Sequence, residues 1–235
     1  MSDLTARIAE NVAEVRRRIA EAAARSGRTA DAVTLVAVTK YVGPTEVRAV
    51  VAAGCTVLGE SRPQQFCSKI EALDDLAVEW HMIGHLQRNK VRRTLPLVSM
   101  VQSADSQALI GAIDRIAGEL GLRMPILLEV NISGEEAKHG FMPDDVEPLL
   151  EELSRLFHIE IRGLMGMASL QAGADTARRD FAAMRRLAER LRKNCPPNIS
   201  LDELSIGMSG DYEVAIEEGA TIVRVGSALY EGIAR

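Results

Sequence analysis

The chain has 235 residues, 47% hydrophobic and 26% charged, enough to bury one large core or two small ones, and an α/β barrel alone uses this length. A net charge of −5 gives no general attraction to nucleic acid or to anionic membranes, and the chain has no apolar run long enough to span a bilayer. Three scattered cysteines, Cys55, Cys67 and Cys195, form no C-x-x-C pair and argue for a reducing compartment over a disulfide framework.

The first element is an amphipathic helix over residues 1–27 rather than an apolar signal segment, so the cytoplasm is the expected setting. Leu4, Ile8, Val12, Val15 and Ile19 form one face, Ser2 or Asp3 can cap the start, and Gly27 can end the helix. Without a secretion signal, the N-I-S triplets at Asn131 and Asn198 carry no glycosylation meaning.

Beyond the helix, short apolar runs alternate with helical patterns. The strands are predicted at 33–39, 56–60, 79–84, 97–103, 125–131, 159–167, 203–208 and 221–226. The helices are predicted at 44–53, 61–73, 86–94, 106–120, 143–156, 175–193 and 210–218, with a short last helix at 227–233. Strand–helix alternation means parallel strands. Eight such units with no second domain left over predict a (β/α)8 TIM barrel, a single domain over 1–235 with the 1–27 helix packed on it. The competing architecture is an open doubly wound sheet.

In a barrel the chemistry lies at the C-terminal ends of the strands. There the sequence puts Lys40, then Glu60 and Ser61, then His81, Gly84 and His85, then Glu129 and Asn131, then the segments GLMGMAS, SIGMSGD and VRVGSALYEG. The last two segments suit a phosphate. Ser209 offers a hydroxyl, Gly226 lets a ligand approach the backbone, and Ser227 opens a short helix. Lys40 follows the fully apolar strand LVAV; against apolar walls desolvation favours its neutral amine, which can form a Schiff base with an aldehyde. Pyridoxal 5'-phosphate carries both an aldehyde and a phosphate. Arg224, inside an apolar strand, either pairs with Glu129 or Asp211 or aims into the barrel at the cofactor's ring nitrogen.

The stretches LVAVTK, LGESRPQQF, EWHMIGHLQRNK, RGLMGM and LSIGMSGDYEVAIEEGATIVRVGSALYEG, with the N-terminal helix, resemble the pyridoxal phosphate homeostasis family across nearly the whole chain. That family is similar to the barrel half of alanine racemases and other fold-type III enzymes. The resemblance implies that Lys40 holds pyridoxal phosphate as a Schiff base. It implies that Ser209, Gly226 and Ser227 hold the phosphate, that Arg224 faces the ring nitrogen, and that Ser61, Ile83 and Met165 line the ring pocket. Many members carry Asn in place of Ser61, so an amide contact to the cofactor is not expected here.

The implied role is to bind, buffer and deliver pyridoxal phosphate, with cofactor-dependent apoenzymes as recipients, by a monomer without a settled reaction. The alternative is an amino-acid racemase or lyase using the same site. Two features favour the carrier. In the racemases a second domain supplies a tyrosine opposite the lysine, whereas this sequence ends nine residues after Gly226. An arginine at the ring nitrogen also disfavours the protonated pyridinium that serves as electron sink. A third reading is a phosphate-binding barrel without aldehyde chemistry.

The two histidines of HMIGH lie four apart on a strand end, not a helix, without an evident acidic third ligand, so neither metal nor H-E-x-x-H chemistry is expected. The basic runs QRNKVRR and RRDFAAMRRLAERLRK read as solvated helix faces. Aromatic content of 3% argues against base stacking.

Overall fold

The structure, a computed structural model, describes residues 3–135, 139–169 and 173–233. Helix α1 spans Asp3–Arg25 and buries Ile8, Val12, Val15, Ile19, Ala22 and Ala23, with Leu4 partly buried. The helix stops at Gly27, whose φ of +70° no β-carbon opposes. The Arg28 N–H returns to Ala23 O at 2.8 Å and the Gly27 N–H to Ala24 O at 3.0 Å, closing a Schellman turn. Ser2, one of the two proposed caps, lies outside the described residues; Asp3 is the first residue of the helix proper.

Eight parallel strands close into a barrel in chain order. They are β1 (Thr34–Val38), β2 (Val57–Glu60), β3 (Glu79–Met82), β4 (Met100–Ala104), β5 (Met124–Val130), β6 (Ile159–Gly166), β7 (Glu203–Met208) and β8 (Ile222–Val225). Closure is made by β1 pairing β8, with Thr34 opposite Ile222 and Ala37 opposite Val225. The intervening helices are α2 (Pro44–Ala52), α3 (Pro63–Glu71), α4 (Val91–Thr94), α5 (Gln107–Glu119), α6 (Val146–Leu153), α7 (Ala174–Arg192) and α8 (Tyr212–Glu217). The predicted barrel is therefore the fold, and the open sheet is excluded by the β1–β8 ladder.

Differences from the predicted elements concentrate at the mouth. The expected helix over 86–94 contains only α4, because Gln87 is extended and the 3-10 turn Arg88–Lys90 comes first. The expected last helix is a 3-10 turn, Ser227–Tyr230, ended by extended Glu231. The basic run on α7 buries Phe181, Met184, Leu187 and Leu191, while Arg178 pairs with Glu217 and Glu218, as a solvated outer face requires.

Two layers of core result. The large one lies between strands and helices. A small one, Val36, Met100, Leu127, Met165 and Ile222, fills the barrel. Along a strand, residues two apart share a face. Moving two residues from Met100, Leu127 and Ile222 therefore gives Gln102, Glu129 and Arg224, all buried. The interior changes from apolar to polar on approaching the mouth. Among the described residues no helix is long and apolar enough to cross a membrane.

Candidate functional site

Lys40 sits two residues beyond β1, and the backbone before it is fixed from both sides. The Thr39 N–H donates to Gly59 O at 2.9 Å, and Lys69 Nζ donates to Thr39 O at 2.7 Å. Lys69 in turn pairs with the fully buried Glu60 at 2.6 Å, whose other oxygen accepts the N–H groups of Ser61 and Arg62 at 2.8 and 3.2 Å. A buried carboxylate so saturated ties the ends of β1 and β2 together. Lys69 is thus committed to structure. Lys40 is not: it is half-buried and, among the described residues, no acidic side chain pairs with it. Its Nζ lies 5.0 Å from the centroid of the Tyr41 ring, which the Arg62 guanidinium also approaches at 5.0 Å.

Lys40, Ser61, Ile83, Ser209, Arg224, Gly226 and Ser227 line one cavity of about 440 Å³ at the barrel mouth. Met165 does not. It is 1% exposed and packs in the barrel interior below, whereas Met167, past the end of β6, lines the cavity. Val38, Met208 and Tyr230 also line the cavity and were not singled out in the sequence. Tyr230 is buried, and its hydroxyl has no hydrogen-bond partner among the described residues.

Ser209 anchors one end of the cavity. Ser209 Oγ accepts the N–H groups of Gly226 at 3.0 Å and Ala228 at 3.5 Å, which leaves its own O–H to donate. The turn beneath is held by Asp211 Oδ1, which accepts the Met208 N–H at 2.6 Å. Gly207 makes the turn possible: its φ is +90°, and a β-carbon there would lie 2.5 Å from that of Ala215. The helices expected after Ser209 and Gly226 are only α8, six residues long, and the 3-10 turn, so local donors rather than helix dipoles form this end.

Arg224 is 5% exposed and held by main chain and hydroxyl. Nη1 donates to Ser205 O at 2.8 Å and Ser205 Oγ at 2.6 Å, and Nη2 donates to Gly166 O at 3.0 Å. The ion pair with Glu129 or Asp211 is not formed among the described residues; Asp211 is spent on the turn. Burial lowers Arg224 to about 10, with Glu129 and Asp211 opposing, so the guanidinium stays charged at neutral pH. Burial, helped by Asp105, raises Glu129 to about 7. Behind Arg224 runs a chain no sequence motif announces. Ser205 Oγ donates to Gln102 Oε1 at 2.7 Å, and Gln102 Nε2 meets His81 Nδ1 at 2.8 Å.

An amine that no acidic side chain among the described residues pairs with, a hydroxyl-bearing turn and a buried cation thus share one cavity with an apolar wall. The arrangement can capture an aldehyde, hold a phosphate and orient an aromatic ring between them.

The alanine racemase N-terminal domain family matches residues 5–233. The pyridoxal phosphate homeostasis protein of Aquifex aeolicus is 38% identical over 94% of this chain and 96% of its own length. Among solved structures, PipY of Synechococcus elongatus with pyridoxal phosphate bound matches with a TM-score of 0.84 at 37% identity, covering 94% of this chain and 99% of that one. Alanine racemase of Streptomyces coelicolor matches with a TM-score of 0.72 at 18% identity over 58% of its length, a likeness of fold. On its barrel, its cavity and these identities, the chain belongs to the pyridoxal phosphate homeostasis protein family.

Proposed function

We propose that this protein binds pyridoxal 5'-phosphate in the 440 Å³ cavity and acts in its homeostasis, holding the cofactor reversibly and releasing it to cofactor-dependent apoenzymes. The observation that carries this reading is the division of labour between two neighbouring lysines. Lys69 is locked by Glu60, and Lys40 reaches the cavity with no acidic partner among the described residues. The relative from Synechococcus elongatus, solved with the cofactor bound, supports it.

Bound there, the cofactor would supply an aldehyde for the amine and a phosphate as handle. Lys40 would provide the neutral amine, giving up its two N–H hydrogens as the aldehyde oxygen leaves with them as water. Ser209 and Ser227 would take the phosphate through their hydroxyls, and Gly226, without a side chain, would let it approach. Ser61 and Ile83, with Met167 in place of Met165, would flank the ring. Arg224 would face its nitrogen; a guanidinium donates and cannot accept, so it keeps that nitrogen unprotonated. That favours storage over carbanion chemistry. The orphaned Tyr230 hydroxyl is consistent with a cavity completed by a ligand. The free cysteines support a reducing compartment such as the cytoplasm.

The test is the visible spectrum of the protein with pyridoxal phosphate, followed by borohydride reduction and peptide mapping. The expected result is a yellow protein whose reduced adduct maps to Lys40, and a colourless Lys40→Ala variant. A colourless wild type, or an adduct elsewhere, overturns the proposal. Exchange of α-deuterium from amino acids, present in the wild type and lost in Lys40→Ala, would instead establish the racemase or lyase reading.

A further inference from the structure

Across the barrel mouth lies a second group of side chains that the cavity above does not use. His85 follows β3, Asp105 follows β4, and His139 lies in the connection after β5. One ligand atom from each falls within 4.8 Å of the others. His85 Nδ1 is 2.7 Å from Asp105 Oδ2, and the His85 and His139 rings stand 4.4 Å apart, centroid to centroid. Sequence spacing could not show this, since the three come from separate loops. It joins His85 to partners other than His81, the neighbour that HMIGH suggests.

We propose that His85, Asp105 and His139 form a binding site for a divalent transition metal ion of the zinc class. Two imidazoles and a carboxylate are the donor set such ions take, with a coordination position left open. The Asp105 side chain is 6% exposed, yet among the described residues no lysine or arginine pairs with it. A carboxylate so buried needs compensating positive charge. Its second oxygen, Oδ1, accepts from Ser106 Oγ at 3.0 Å, the outer hydrogen bond that orients a metal-binding carboxylate.

Bonds of about 2.1 Å to a tetrahedral ion place ligand atoms roughly 3.4 Å apart. The widest spacing, up to 4.8 Å, must therefore close by about an ångström, while an ion that took His85 Nδ1 would open its 2.7 Å contact with Asp105; both histidines are exposed side chains that can turn to do so. The open position would be reached from a cavity of about 940 Å³ that His85 and Asp105 line with Arg88 and Arg115. The site joins the loops after β3, β4 and β5, and none of its residues lines the Lys40 cavity.

The experiment is calorimetric titration of the untagged, chelator-treated full chain with Zn²⁺, and the visible spectrum with Co²⁺, both without added pyridoxal phosphate. The expected result is one ion per chain and a cobalt ligand-field band. His139→Ala and Asp105→Asn should each weaken binding about 100-fold or more, and Ser106→Ala about tenfold. Uptake of pyridoxal phosphate by the same variants reports that they are folded, and it keeps this test separate from that of the Lys40 cavity. Absence of stoichiometric binding to the wild type, or affinity unchanged in both His139→Ala and Asp105→Asn, overturns the proposal.

Discussion

Gln102 can serve its two neighbours only one way round. Arg224 has donors and no acceptor, so Ser205 Oγ must accept from it and pass its own proton on to Gln102 Oε1. The Gln102 amide nitrogen then faces His81 Nδ1, which must accept. His81 is therefore neutral, with its proton on Nε2. Protonating Nδ1 would set two donors against each other, and burial, reinforced by the Arg162 charge, lowers His81 to about 4. In the unfolded chain the imidazole titrates near 6.5. The unfolded state alone gains a proton between these values, so the contribution of His81 to stability is complete above about pH 6.5 and lost as pH falls toward 4. At about pH 4.5 that loss is about 2–3 kcal/mol. Glu129, raised to about 7, acts in the opposite sense, because acidification relieves its burial. The measurement is urea unfolding at about pH 7 and about pH 4.5 for wild type and His81→Gln. The wild type is expected to lose about 2–3 kcal/mol more than the variant; equal losses would show that His81 is not held neutral. Placing His81 in the core was within reach of the sequence. Its partners were not, because Gln102 lies 21 residues away and Ser205 another 103.

At the scale of elements, α1 does more than cover the barrel. Its buried face, readable from the spacing of Ile8, Val12, Val15 and Ile19, packs on α2 and α8. Asn11, which the same pattern assigns to the polar side, reaches across 218 residues. Its Nδ2 donates to Leu229 O at 3.2 Å and Glu231 O at 3.0 Å. Arg7 Nε adds a bond to Glu231 O at 3.3 Å. The helix thus holds the 3-10 turn that carries Ser227, which ties the first element to the anion end of the cavity. Removing both Asn11 bonds should cost about 1 kcal/mol locally. In Asn11→Ala, amide exchange over 227–233 is expected to quicken about fivefold while β4 and β5 keep wild-type protection. Phosphate-dependent affinity should fall with it. Unchanged exchange in that segment would show that the turn is held by β8 alone. Strand depth was the other limit on reading elements. Strand β6 was predicted to 167 and ends at Gly166, and the β5–β6 ladder shifts register between Ile126 and Leu127. Such a shift leaves no trace in composition, so which β6 side chains stand level with Glu129 was not readable from the sequence.

The molecule as a whole was the most legible level, because eight strand–helix units admit few closed arrangements and the chain spends nothing on a linker. The site lies at the seam where the barrel closes. Val38 and Lys40 come from the end of β1, and Arg224, Gly226 and Ser227 from the end of β8, the two strands whose pairing closes the barrel. A ligand held by both sides spans that seam, so its binding free energy adds to the stability of the closed barrel. At a hundredfold excess over Kd the gain is about 2.7 kcal/mol. For a domain of this size that corresponds to a rise of about 5–10 °C in Tm. Pyridoxal phosphate should give this shift. Pyridoxal, which engages Lys40 without the Ser209 end, should give less at the same concentration, as should inorganic phosphate, which engages that end alone. Lys40→Ala should retain a shift close to that of phosphate. Equal shifts from phosphate and pyridoxal phosphate in the wild type would mean that only the anion end binds, and the lysine at the end of the first strand would then have no part in holding the cofactor.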